Sequence, residues 1–442
     1  MNKSHFVHYV KFHSNCAIII SPLLQEKTLY PANVIHNRIV HKEASPMIAR
    51  TPPMGWNSWN TFGWKINDEL IRQMADYMVA EGYRDAGYEY LVIDDCWSLK
   101  QRSEDGRIIP DPEKFPHGMK AVADYVHAKG LKFGMYSCAG VRTCAGYPGS
   151  YDHEFVDAST FADWGVDFLK YDYCNFPASG DCKARYLTMS MALKATGREI
   201  LFSACNWGQQ EPGQWMRQIG AHMYRSTGDI FDNFRSFTDI AKSQLDKLCM
   251  SGSYCFNDMD MLTVGMCGNG NVGIGKVCTY EEYRLQFALW ALCGVPLMMG
   301  ADLRALTPEY KALMQHPDLL RINQDEECRA PYIVRRDSVC VDNPDPQPGE
   351  PHWKHIPDSA YVLLRHLTDG EFALFFANMA DKGAEVHVEF ADLGLPATGG
   401  VALQMREVFT GETFDKVSDC FNPHIEAHDC KLYLCRLVKA HG

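Results

Sequence analysis

The chain contains no apolar run approaching the roughly 20 residues that cross a bilayer; its best candidate, Cys16 to Leu24, is far too short. A membrane-integral protein is not expected. Cationic residues are also in short supply, with 43 Lys and Arg against 55 Asp and Glu for a net charge of −12. That balance opposes nucleic acid and anionic membranes as partners, because both demand clustered positive charge. No P-loop is present, and no GxGxxG opens a helix after a strand. The string Gly268-Asn269-Gly270-Asn271-Val272-Gly273 reads instead as a flexible loop. No His pair has metal-binding spacing near a candidate strand end, and Cys138, Cys144, Cys174 and Cys205 lack a tight zinc pattern. Neither a metal nor any other cofactor is expected.

Cysteine, by contrast, is plentiful, but its count of 17 is odd and the residues are scattered, which excludes a full disulfide framework. Mostly reduced thiols favour a cytoplasmic setting over secretion, although one or two bridges near a site would fit an exported enzyme. The start of the chain has basic and His residues before the short run Ala17-Ile18-Ile19-Ile20, with no clear small-residue cleavage site after it. Residues 1–46 therefore read as an extension, and Met47 is an alternative start of the segment MIARTPPMGWNSWN.

With 442 residues, 46% hydrophobic and 22% charged, the chain can bury a large core and is long enough for a barrel of about 250 residues and a smaller partner. Between about residues 50 and 300, short apolar runs alternate with amphipathic stretches, which is the pattern of βα repeats. Eight strands are expected, at Gly55 to Trp59, Tyr88 to Asp94, Lys132 to Ser137, Asp167 to Asp172, Ile200 to Cys205, Ala221 to Ser226, Tyr254 to Asn257 and Pro296 to Met299. A helix over Asp68 to Glu81 carries Leu70, Ile71, Met74, Tyr77 and Met78 at helical spacing behind an N-cap at Asn67, and His117 to Lys129 repeats the pattern before Gly130. After Asp325 the period becomes two, as in Ser359 to His366 and Glu371 to Asn378 about the turn Thr368-Asp369-Gly370. The Pro-rich run Asp342 to Pro351 reads as an exposed loop. The expected architecture is a (β/α)8 TIM barrel over residues 47–328, followed over 329–442 by a C-terminal antiparallel β-sandwich domain.

Catalytic groups of such barrels come from the C-terminal ends of strands. Those ends carry Asp94-Asp95, Lys170-Tyr171-Asp172, Cys205-Asn206-Trp207, Arg225 through Asp229, and Asn257-Asp258-Met259-Asp260. Hydrolysis of a glycosidic bond with retention uses two carboxyl groups about 5 Å apart, and Asp172 and Asp229 stand at the ends of strands two apart. Lys170, on the same side of its strand as Asp172, is expected to hold that carboxylate ionised. Further carboxylates suit sugar hydroxyls, and Trp56, Trp59, Trp97 and Trp207 offer ring faces. Each feature alone has a plainer reading: a Trp packs in a core, Asp94-Asp95 is a metal site or a solvated turn, and Lys170 is a structural ion pair. Five strand ends together weigh against those readings, since burying several carboxylates at one end of a barrel is costly.

With these residues in view, the chain resembles glycoside hydrolase family 27, which comprises α-galactosidases and α-N-acetylgalactosaminidases. The resemblance runs through Thr51-Pro52-Pro53-Met54-Gly55-Trp56-Asn57-Ser58-Trp59, Ile93-Asp94-Asp95-Cys96-Trp97, Thr143-Cys144-Ala145-Gly146, Phe161 to Asp167, Leu169-Lys170-Tyr171-Asp172, Arg225-Ser226-Thr227-Gly228-Asp229 and Ile322-Asn323-Gln324-Asp325. It implies Asp172 as nucleophile and Asp229 as acid/base. It further implies that Asp94 and Asp95 hold the hydroxyls on carbons four and six, that Lys170 and Arg225 bind ring hydroxyls, that Trp56 walls the sugar, that Asp260 and Met261 line the pocket, and that Cys144 bridges to Cys174. Cys205, Asn206 and Trp207 complete the expected binding set.

Two departures stand out: Asn206 replaces the Glu of many α-galactosidases and the Ser of animal N-acetylgalactosaminidases, and Met259 replaces the usual Pro, loosening that turn. Asn206 can still bond a hydroxyl on carbon two, and with Trp207 it leaves little space for an N-acetyl group. The expected partner is accordingly a galactose-containing oligosaccharide or glycoconjugate, hydrolysed by double displacement. The alternatives are the same machinery acting on α-N-acetylgalactosaminides or β-L-arabinopyranosides, a Lys170 Schiff-base lyase, or an inactive sugar-binding protein. Nothing in the sequence sets an oligomeric state.

Overall fold

A computed structural model describes residues 48–177, 179–395 and 397–440; the N-terminal extension and the alternative start at Met47 lie outside them. Eight parallel strands form one sheet: β1 Met54–Asn57, β2 Tyr90–Val92, β3 Lys132–Cys138, β4 Phe168–Asp172, β5 Leu201–Cys205, β6 Met223–Arg225, β7 Phe256–Asp258 and β8 Leu297–Met299. All eight fall where the apolar runs place them. Their order is β8-β1-β2-β3-β4-β5-β6-β7. A parallel bridge between Leu262 and Met299 closes the ring, with Leu262 N donating to Met298 O at 2.8 Å.

Period-two alternation divides the strand residues between two cores. Tyr90, Val92, Phe168, Leu201, Met223, Phe256 and Met298 fill the barrel interior. Leu91, Leu169, Phe202, Tyr224, Leu297 and Met299 instead pack in the larger core that includes the helices. Continuing the inward parity toward the strand ends brings Asp94, Lys170, Asp172, Cys205, Arg225 and Asp258 to the top of the interior. This parity builds the site.

Between strands run α1 Asp68–Ala80, α2 Gly118–Ala128, α3 Glu154–Trp164, α4 Cys182–Ala195, the single turn α5 Met216–Ile219, α6 Phe234–Gln244 and α7 Tyr280–Cys293; α8 Pro308–Met314 and α9 Pro317–Asn323 follow β8. The Asn67 side chain caps α1 by accepting from Leu70 N at 2.8 Å, and Ile71, Met74, Ala75 and Met78 form its buried stripe. Helix α7 begins with a capping box between Thr279 and Glu282 and is buried over most of its length.

Much of that burial comes from the second region. Six antiparallel strands, β9 Tyr332–Asp342, β10 Trp353–His366, β11 Phe372–Asn378, β12 Val401–Glu407, β13 Thr413–Val417 and β14 Asp429–Lys439, form a sheet in the order β9-β10-β11-β14-β12-β13. Two short ladders, Ala384–Glu385 with His424–Ile425 and Val388–Glu389 with Cys420–Phe421, supply side chains to its own apolar core. The Pro-rich run lies in the exposed connection from β9 to β10.

The described residues belong to one compact unit, and the β domain grips α7 at several points. Arg284 pairs with Asp429, and Glu282 lies 2.7 Å from His428. Arg365, fully buried on β10, donates from Nη1 to the carbonyls of Ala291 at 3.0 Å and Leu292 at 3.1 Å. A guanidinium at a helix C-terminus satisfies carbonyls that have no partner within the helix.

Candidate active site

The inward residues at the strand ends open into a cavity of about 230 Å3, lined among others by Trp59, Asp94, Asp95, Tyr136, Cys144, Lys170, Asp172, Trp207, Arg225, Asp229, Asp260 and Met261. Asp172 lies deep, with 6% of its surface exposed, and both of its oxygens are held. Tyr173 N donates to Oδ1 at 2.8 Å and the Tyr136 hydroxyl to Oδ2 at 3.1 Å. Asp229, on the loop after β6, stands at the mouth with its side chain 68% exposed and accepts a hydrogen bond from Arg225 Nη2. Arg225 Nη1 also faces Asp260 Oδ2 at 3.4 Å.

Lys170 does not bond Asp172 directly. Its Nζ donates to Asp94 Oδ2 at 2.8 Å, and the same oxygen accepts from Asn57 Nδ2 at 2.8 Å. Asp95 accepts from Cys96 N at 2.7 Å and, through its other oxygen, from Ala145 N at 3.1 Å. Burial still pushes the Asp95 carboxyl up to about 6, outweighing those hydrogen bonds. Burial likewise lifts Asp172 above the ordinary carboxylate range, while the charges of Lys170 and then Arg225 act against it in favour of the ionised form. Desolvation works in the same direction on Asp229, but the charge and hydrogen bond of Arg225 overcome it and hold that carboxyl below its usual value. In the free protein the buried carboxyl is thus the weaker acid.

Burial works to discharge Lys170, yet Asp94 and then further nearby anionic groups outweigh it and raise its pKa above the ordinary value. An ammonium held in its protonated state lacks the lone pair that Schiff-base chemistry needs.

The aromatic wall also needs correction. Trp56 is fully buried, donates from Nε1 to Ala301 O at 2.8 Å and packs edge-on against Phe62. It has the outward parity of β1, so Trp59, the first residue of the one-turn helix Trp59–Phe62 beyond the strand, lines the cavity instead. Asn206 is also absent from the lining: it is buried, and its Nδ2 donates to Gln209 O at 2.6 Å. Cys205 borders a smaller void of about 20 Å3 beneath the main cavity, shared with Lys170, Arg225, Asp258 and Asp260. Trp207, by contrast, does line the main cavity, from a backbone at φ +56°.

The turn after β7 is firmly tied although Met259 stands where the family motif usually has Pro. Asp260 N donates to Asp258 Oδ1 at 2.9 Å, while the Asp260 carboxylate accepts from Met261 N at 2.7 Å and Ile230 N at 2.8 Å. Burial and the neighbouring Asp260 push Asp258 up to about 7. The glycine-rich loop is docked, with Asn271 N donating to Asn60 O at 2.7 Å, and it delivers Asn271 and Val272 to the cavity. Gly270 permits this approach: it has φ +92°, and a Cβ there would sit 2.7 Å from Thr61 Cα.

Cys144 and Cys174 are joined as a disulfide with Cα atoms 5.1 Å apart, tying the loop after β3 to the end of β4. Among the described residues the trio of potential metal ligands, Cys144, Asp172 and Cys174, consists largely of these bridge sulfurs, which are not available as thiolates. Tyr136 and Asn60 are site residues that the sequence reading missed. Tyr136 could have been found by the inward parity of β3 alone.

A family model described as alpha galactosidase A matches residues 51–325, and one described as the alpha galactosidase C-terminal beta sandwich domain matches residues 358–435. The chain belongs to glycoside hydrolase family 27, the α-galactosidase family. Within the family, the α-galactosidase of Cyamopsis tetragonoloba is 39% identical over 414 residues, which cover 93% of this chain and 92% of that one. The crystal structure of α-galactosidase I from Mortierella vinacea superposes with a TM-score of 0.78 at 28% identity, covering 89% of this chain and 98% of that one. The α-galactosidase of Saccharomyces cerevisiae solved with raffinose gives a TM-score of 0.76 at 25% identity, covering 88% and 98%. The chain therefore joins a hydrolase barrel to the β-sandwich typical of the family.

Proposed function

We propose that the protein releases terminal, non-reducing α-D-galactose from oligosaccharides or glycoconjugates, with retention of configuration. The observation that carries this reading is the placement of Asp172 and Asp229 on one small cavity, one carboxyl deep and the other at the mouth. A volume of about 230 Å3 lies below the roughly 300–1,000 Å3 of pockets for drug-sized ligands and suits one sugar ring entering by its end. Asp94, Asp95, Lys170 and Arg225 offer acceptors and donors to the ring hydroxyls.

In the first displacement an Asp172 oxygen bonds to the anomeric carbon as the bond to the leaving oxygen breaks, and Asp229 supplies the proton to that oxygen. In the second, Asp229 takes a proton from water, which attacks the anomeric carbon and frees Asp172. Exposure of Asp229 fits a group that meets both a departing alcohol and an incoming water. Because Arg225 favours ionised Asp229, sugar hydroxyls that draw Arg225 toward the ring would free Asp229 to take up its proton. Raffinose, the ligand of the yeast relative, is a suitable first natural substrate.

The test is hydrolysis of p-nitrophenyl α-galactoside beside its α-N-acetylgalactosaminide and β-L-arabinopyranoside, with proton NMR of the first sugar anomer. Preferred release from the galactoside, with α-galactose appearing first, is the expected result. Preference for another sugar, or β-galactose appearing first, overturns the reading.

A further inference from the structure

One wall of the catalytic cavity is made by two loops that are tied to each other. The loop after β6 brings Asp229 and Phe231 to the cavity, and the loop after β7 brings Asp260 and Asn271. Asp232 joins them: its carboxylate accepts from Gly268 N at 2.7 Å and from the Tyr283 hydroxyl at 2.8 Å, while its own N–H donates to Val272 O at 3.0 Å. Each loop then ends on a capped helix. Asn233 caps α6 by accepting from Ser236 N, with Phe234 as the first helical residue, and Thr279 with Glu282 closes the capping box of α7.

His428 touches both helix starts. It lies in the turn before β14 of the sandwich, with φ +55°. Its ring stacks on Phe234, with centroids 3.8 Å apart and planes 15° apart. Nδ1 lies 2.7 Å from Glu282 Oε1, and Nε2 lies 2.9 Å from Asp381 Oδ1. An ionised carboxylate accepts but does not donate, so two of them are satisfied together only by an imidazolium. The Glu282 hydrogen bond raises the pKa of His428 above its ordinary value against the opposing effect of burial, and Asp381 adds to the rise. The other oxygen of Glu282 accepts from Thr279 N at 2.8 Å, so a single carboxylate ties the imidazolium to the cap of α7.

We propose that His428 is a positioning residue for Asp229: from the β-sandwich it fixes the first turns of α6 and α7, and with them the wall that presents the acid/base to the leaving oxygen. Asp229 depends on such support because its exposed side chain is held only by Arg225. A displacement of about 1 Å at a catalytic group can cost about 10²-fold in rate. Asp94, Asp95 and Lys170, which face the sugar ring, stand at the ends of other strands and do not rely on this clamp. Loss of His428 therefore weakens proton donation more than sugar binding. The inference rests on the reading of Asp229 as acid/base, which the experiment checks separately.

The experiment compares kcat/KM of the full chain, His428→Ala and Asp229→Asn on two substrates that need the acid to different degrees. Melibiose releases a sugar alkoxide that must be protonated as it departs, whereas a dinitrophenyl α-galactoside releases a phenolate that leaves without a proton. His428→Ala is expected to lose about 10- to 100-fold on melibiose and no more than about 2-fold on the dinitrophenyl substrate. Equal losses on both would mark a general structural role and overturn the proposal, as would no loss on either. If His428→Ala does not fold, His428→Asn decides alone, since Asn tolerates the left-handed backbone and carries no imidazolium. A melibiose-selective loss in Asp229→Asn without one in the His428 variant defeats the positioning role only. No selective loss in Asp229→Asn defeats the acid/base assignment itself.

Discussion

Lys170 Nζ on β4 lies 2.8 Å from Asp94 Oδ2 at the end of β2, joining two non-adjacent strands across the top of the barrel. Both side chains are nearly out of solvent, so the loss of one leaves the other as an uncompensated buried charge. Lys170→Met is expected to destabilise the fold by about 3–5 kcal/mol and to raise KM, as measured by urea unfolding and steady-state kinetics. An unchanged unfolding midpoint would show the pair to be energetically idle.

Asp172 offers the opposite case, because burial already disfavours its charge. Asp172→Asn is expected to reduce kcat by at least ~10³-fold while leaving the thermal midpoint equal to or above that of the parent. Substantial turnover would remove Asp172 from the reaction.

Arg225 lowers the pKa of both Asp172 and Asp229. Removing a positive charge raises the pKa of a neighbouring carboxyl. In Arg225→Gln both limbs of the kcat/KM profile should therefore move to higher pH, with KM raised by the lost contact to substrate. A profile that keeps its position would show that Arg225 does not set the titration of either group.

Asp258 is pushed up to about 7 by burial and by Asp260, against about 4 for an ordinary carboxyl in an unfolded chain. Between those values the folded protein keeps a proton that the unfolded chain has released. The stability this contributes is complete below about pH 4 and is lost as pH rises through 7. Asp258→Asn keeps the acceptor for Asp260 N without the titration, so its thermal midpoint should gain on that of the parent between pH 5 and 8. A constant difference across that range would contradict the assignment.

The two tryptophans of the first strand and turn separate structure from binding. Trp56→Ala is expected to cost about 3–5 kcal/mol in stability. Trp59→Ala should chiefly raise KM for the p-nitrophenyl galactoside, and the comparison needs only denaturation curves and kinetics on the two variants.

That pair also shows where sequence reading stopped. The eight apolar runs located the barrel strands, because a buried parallel strand must be nearly continuously apolar, and strand-end position brought Asp94, Lys170, Asp172 and Arg225 together. Within the motif Trp56 and Trp59 look alike, and only period-two parity turns Trp56 outward into the core and leaves Trp59 to the cavity. Asn206 shows a different limit: its partner, Gln209 O, lies in a loop whose path is set by four left-handed residues, Trp207, Gly208, Gln210 and Glu211. No periodicity encodes such a turn. Asn271 and Val272 reach the cavity through docking against Asn60, a tertiary contact that local pattern does not reveal.

Arg365 is fully buried beneath the end of α7, and Gly294 leaves it room, since a Cβ there would lie 2.8 Å from its Nη1. The catalytic half thus has the Gly294 cap of one of its own helices completed by a guanidinium from the β-sandwich. Cutting the gene between the two regions would expose that helix end and the apolar face around it, so the unit that recombination or protein engineering can move intact is the barrel and sandwich together.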